Sequence, residues 1–129
     1  MSVPETLEGE RASCAGARSV VRSVLMEVCC GLPLNTARRL RDDALLVASE
    51  LTSNALQHGG GVTSFSARLR GDALELRVSD RSRDVPCTSR PERGRPGGYG
   101  WMVVQRLSSR LGIEIEPGGK TITAMVALP

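Results

Sequence analysis

Glu50, Asn54 and His58 stand four residues apart in the run Glu50-Leu51-Thr52-Ser53-Asn54-Ala55-Leu56-Gln57-His58. On a helix that spacing aligns a carboxylate, a carboxamide and an imidazole in one row. Val47, Leu51 and Ala55 form the neighbouring apolar strip, so the row borders the core instead of lying opposite it. Asp80 is a second candidate. The alternation of Leu74, Leu76 and Val78 carries its carboxylate onto an apolar face at a strand end, where it must find donors. Those donors are either a backbone turn, Arg81 or Arg83, or a ligand amine such as the exocyclic group of adenine. The third is Gly97-Gly98-Tyr99-Gly100-Trp101, which closes a loop and opens a helix; free N–H groups there suit phosphate. It lacks the spacing of a dinucleotide fingerprint, and no P-loop is present. Each cluster alone has an ordinary structural explanation: a solvated helix face, a capping acid, a glycine before a helix. Together they can surround one nucleotide.

The elements that must position them follow from periodicity. Residues 11–30 place apolar side chains at 17, 20, 21, 24 and 28, the spacing of an amphipathic helix that Gly31 and Pro33 stop. Asn35 is the expected N-cap of a second helix reaching His58, ended by Gly59-Gly60-Gly61. Residues 62–70 and 73–80 alternate about Gly71-Asp72 and read as a hairpin. Residues 81–98 lose all pattern and read as a long loop. Its Arg81, Arg83, Arg90, Arg93 and Arg95 outnumber Asp84 and Glu92, a charge that suits triphosphate. A third helix is expected over 100–111, with Arg106 and Arg110 in its last turns, then a hairpin of 113–116 and 120–128. Residues 1–9 form a polar lead in which Glu5 to Glu8 adds an edge strand. The expected architecture is α+β: two layers, helices on one face of a mixed, mostly antiparallel sheet, in one domain over residues 10–129.

Composition narrows the function. The chain has 129 residues, and its aromatic side chains are Phe65, Tyr99 and Trp101 alone, too few for a base-stacking platform. A net charge of +3 does not argue for a polyanion partner. There is no start resembling a signal peptide and no run of roughly 20 apolar residues, so the expectation is a cytoplasmic protein that meets neither membrane nor nucleic acid directly. Cys14, Cys29, Cys30 and Cys87 have no metal-ligand spacing and are expected as buried, reduced thiols.

The ordered set resembles the ATP-binding domains shared by gyrase, Hsp90, histidine kinases and MutL, and above all the small, single-domain anti-sigma-factor serine kinases of actinobacterial type. Residues 50–58 look like the N box, Val78-Ser79-Asp80-Arg81-Ser82 like the first glycine box, Gly98-Tyr99-Gly100-Trp101 like the second, and Gly119-Lys120-Thr121-Ile122-Thr123 like the closing strand. The resemblance implies ATP and Mg²⁺ as ligands. Asn54 would hold the metal, Glu50 would act as base toward a serine hydroxyl, and Asp80, with Ser82 and Thr121, would meet adenine. Gly98 and Gly100 would face the phosphates under a lid of about residues 81–97.

It further implies a sigma factor and an anti-anti-sigma (STAS-type) protein as partners, with a homodimer as a family expectation. The chain departs from the pattern at Ser82, where the wider family has glycine, and at Trp101, where it has an aliphatic residue. Those departures keep open a second function: an interaction module that regulates transcription by binding alone.

Overall fold

The computed structural model describes residues 4–86 and 100–129. Its elements run β1 (Glu5–Glu8), a 3-10 turn (Gly9–Arg11), α1 (Cys14–Cys30), α2 (Leu34–His58), β2 (Val62–Arg70), β3 (Ala73–Asp80), α3 (Gly100–Leu107), β4 (Arg110–Glu116) and β5 (Gly119–Ala127). The five strands form one sheet in the order β1-β2-β3-β5-β4. The α+β, two-layer expectation is met, and among the described residues every pairing is antiparallel, where a mixed, mostly antiparallel sheet was expected. The helical connection from β3 leads to β4, and β5 lies between them, so these two strands never pair.

Local chemistry sets most boundaries. Ser13 caps α1, its side chain accepting from the Gly16 N–H at 3.0 Å. The second helix starts at Leu34, with Pro33 in the cap position and no side-chain cap, so Asn35 lies inside the helix instead of capping it. Gly60 and Gly61 turn the chain out of α2 with φ of 73° and 106°, a region open chiefly to glycine. The expected third helix is shortened. It ends at Leu107, because the Ser109 N–H bonds the Met125 carbonyl at 2.8 Å and draws the chain into the sheet. Arg110 and Leu111, expected in that helix, are strand residues, and Leu111 pairs with Ala124.

The core lies between the helices and one sheet face. Val20, Val21 and Leu25 of α1 and Val47, Ala48 and Leu51 of α2 pack with Phe65, Leu76, Val78, Ile122 and Ala124. Phe65 is fully buried, and Leu7 of β1 pairs with it at the sheet edge. The thiols deviate from expectation: Cys14 and Cys29 are half-buried and Cys30 is exposed, all free, while Cys87 lies outside the described residues. Among the described residues no helix is long and apolar enough to cross a membrane.

The other sheet face carries a built ion cluster. Glu75 is 3% exposed and accepts from Arg68 Nε and Arg70 Nη1, both at 2.8 Å. Burial is the largest single influence on this carboxyl and raises its pKa. The hydrogen bonds and charges of the two guanidinium groups together outweigh burial and hold it below its ordinary value. A carboxyl with a lowered native pKa contributes stability that is complete above its unfolded value and is lost as pH falls through the native one. Glu75→Gln is therefore expected to cost about 1–2 kcal/mol at neutral pH, a modest figure because both arginines remain partly solvated. It should also flatten the acid limb of the profile. Urea midpoints measured across the acid range check this, and an unchanged slope would show that the cluster does not form in solution.

Candidate functional site

The long helix α2 brings Glu50 and Asn54 to the start of α3. Both are half-buried, as the position of their row beside the core strip requires. With Ser53, Gln57, His58, Gly100, Trp101 and Val104 they line a cavity of about 20 Å³, the room one water molecule takes. Gly100 is buried directly against Glu50: a Cβ there would run into Glu50 Oε2. This close approach is the structural reason for glycine at the head of α3. His58 is exposed at the rim. Gly98 and residues 87–97 of the expected lid lie outside the described residues. A larger groove of about 780 Å³ opens elsewhere, between the first turns of α2, the end of α3 and the end of β5, and holds none of the expected site residues.

Among the described residues no three His, Cys, Asp or Glu side chains stand close enough to hold a metal ion by themselves. The oxygen of the Asn54 carboxamide, at this small cavity, is the kind of donor Mg²⁺ takes, one or two protein oxygens with phosphate and water completing its shell.

Asp80 ends β3 on the core face, as the alternation requires, and is 5% exposed. Its donors are not Arg81 or Arg83. Lys120, itself 4% exposed, places its ammonium 3.0 Å from Oδ1 and 2.9 Å from Oδ2. The Ser82 N–H also donates to Oδ1 at 2.9 Å, and the Lys120 ammonium donates to the Ser82 carbonyl at 3.2 Å. Ser82 thus takes part through its backbone. The end of α2 closes the remaining side, where a Cβ on Gly59 would lie 2.6 Å from the carboxyl group. The Arg81 N–H ties the two elements by donating to the Gly59 carbonyl at 2.9 Å.

Strand register explains why Thr121 does not join Asp80. Asp80 pairs with Lys120 and Ser79 with Thr121, so the threonine faces the opposite side of the sheet. There its hydroxyl is 2.7 Å from that of Ser79. Lys120 is the functional candidate that sequence reasoning overlooked. One signal was present: Lys120, Ile122, Ala124 and Val126 alternate, which puts the chain's one lysine on the apolar parity, as Asp80 is on β3.

Residues 9–126 match the family described as the histidine kinase-like ATPase domain. No curated protein gives a significant match. Among solved structures, the chain is similar to the RsbU and RsbW domains of Rv1364c from Mycobacterium tuberculosis. That likeness has a TM-score of 0.64 and 23% identity, over 98% of this chain and 32% of that one. A histidine kinase domain from the blue-light activated kinase of Erythrobacter litoralis gives 0.50 and 22%, over 89% of this chain and 60% of the other. The histidine kinase AdeS of Acinetobacter baumannii gives 0.50 and 12%, over 99% and 68%. At these identities the likeness is one of fold, and the chain spans about a third of the mycobacterial chain it matches.

Proposed function

Because this chain belongs to the histidine kinase-like ATPase domain family, we propose that it is an ATP-binding regulator of the anti-sigma type. In this reading it holds a sigma factor and, with ATP and Mg²⁺, phosphorylates a serine of an anti-anti-sigma (STAS-type) partner. The family supports the nucleotide. The ordered boxes of residues 50–58, 78–82, 98–101 and 119–123 support the finer part.

The observation that carries the reading is the meeting of Glu50, Asn54 and Gly100 at one cavity. Phosphoryl transfer asks mainly for positioning and for neutralisation of charge, and bound Mg²⁺ would supply much of the latter. The Asn54 carboxamide would hold that ion. Glu50 would take the proton of the attacking serine, a role for which a half-buried carboxylate beside the phosphate site is suited. Gly100, without a side chain, lets Glu50 stand against the start of α3 and leaves its backbone facing the same space.

Titration with ATP, with and without Mg²⁺, tests the site through Trp101 fluorescence and calorimetry. The expected result is saturable, Mg²⁺-dependent binding that Asn54→Ala weakens tenfold or more, on the scale of one charge-assisted contact. A folded protein that gives neither heat nor a fluorescence change would overturn the reading. One observation favours a second reading: the donors and acceptors around Asp80 are already satisfied within the chain. In that reading the domain regulates by contact alone, and sigma-factor binding unaffected by Asn54→Ala would select it.

A further inference from the structure

The ammonium of Lys120 has three N–H donors, and the chain offers it three acceptors: Oδ1 and Oδ2 of Asp80 and the Ser82 carbonyl. No donor is left over for a ligand. The carboxyl group is equally engaged, since Oδ1 also accepts the Ser82 N–H and the Gly59 backbone closes one side. A primary ammonium and an exocyclic purine amine are both N–H donors, and the charged one makes the stronger bond to a carboxylate. We propose that Lys120 is a tethered competitor for the nucleobase, its ammonium filling the donor position that Asp80 would offer to the adenine amine. This rests on the nucleotide-binding reading above.

The surroundings let the side chain leave as well as stay. Lys120 is the second residue of β5, separated by the buried Gly119 from the exposed turn residues Pro117 and Gly118. On its other flank it pairs with Ile115, which is 42% exposed and offers no polar group to hold the ammonium inside. A flexible four-carbon stem at such a rim can carry its head into water, where an ammonium is strongly hydrated. Nucleotide is then held through its phosphate end, with little reading of the base until Lys120 withdraws. Lys120 is thus a specificity-setting residue: it weakens selection for adenine without touching the phosphates or the metal.

The test compares ATP with purine riboside triphosphate, which lacks the exocyclic amine, by calorimetry in Mg²⁺. Wild-type protein is expected to bind the two within about twofold of each other. Lys120→Thr frees Asp80 and is expected to bind ATP about ten- to a hundredfold more tightly than wild type, and to prefer ATP to the analogue by a similar factor, the scale of one hydrogen bond to a charged group. A wild-type preference for ATP of tenfold or more would overturn the proposal, and it needs no variant to fold. Equal ATP affinity in wild type and a folded Lys120→Thr would overturn it while leaving the nucleotide site standing. Absence of binding by both proteins to both nucleotides would overturn the nucleotide reading itself, and this proposal with it.

Discussion

Glu50→Gln is expected to lower phosphoryl transfer to a STAS-type partner by about 10²–10⁴-fold, the usual contribution of a general base, while ATP–Mg²⁺ affinity stays within a few-fold. The amide is nearly isosteric with the carboxylate, so the contact with Gly100 and the packing of α3 on α2 are kept. Only the capacity to accept a proton is lost. A drop in transfer with binding retained separates a base from a residue that merely shapes the cavity, because a shaping residue would fall in both. Transfer of labelled γ-phosphate into a purified partner, run beside calorimetry on the same preparation, reads the two. Undiminished transfer by Glu50→Gln would remove the base from Glu50.

The pair Asp80–Lys120 has the second large effect, on stability. Both groups are at most 5% exposed, so removing either partner leaves a charge buried without its counterpart. Such losses run to about 3–5 kcal/mol. For a domain of this length that lowers the melting temperature by roughly 10 °C or more. Asp80→Leu and Lys120→Met are each expected to behave so. The double variant is expected to return to within about 1–2 kcal/mol of wild type, since an apolar pair of similar volume needs no desolvation of charge, and only the hydrogen bonds of Ser82 go unmade. Thermal and urea unfolding of the three variants completes a double-mutant cycle. If each single change costs less than about 1 kcal/mol, the pair behaves as a solvated surface pair and the burial of Lys120 does not hold in solution. The cycle also bears on binding assays: Asp80→Asn is informative only in a sample shown to be folded.

Much of this was legible in the sequence because side-chain periodicity reports directly on faces. The alternation through Leu74, Leu76 and Val78 put Asp80 on the core side, where it lies. The four-residue spacing of Glu50 and Asn54 set them on the row beside the buried strip. What was not legible depends on partners distant in the chain. Leu111 follows Leu107 by four residues, as in a helix, and also alternates with Ile113 and Ile115, as in a strand. Pairing with Ala124 and the Ser109–Met125 bond decide between them. The edge strand Glu5–Glu8 was expected with these bounds although it is too short to have a period, and the pairing of Leu7 with Phe65 holds it. The alternation of Lys120 with Ile122, Ala124 and Val126 gives its face, but its partner Asp80, 40 residues away, is set by the pairing of β3 with β5.

The strand order has a kinetic side. The final strand of this domain to leave the ribosome, β5, is flanked by β3 and β4 and is not an edge. Until it arrives, β3 has a row of free N–H and C=O groups on the side where β5 will pair, an open template for another chain. The buried carboxylate of Asp80 waits equally long for its ammonium. Closing the sheet late, by contacts far apart in sequence, makes folding slow for a domain of this size. A nascent or truncated chain would therefore be the species most in need of a chaperone.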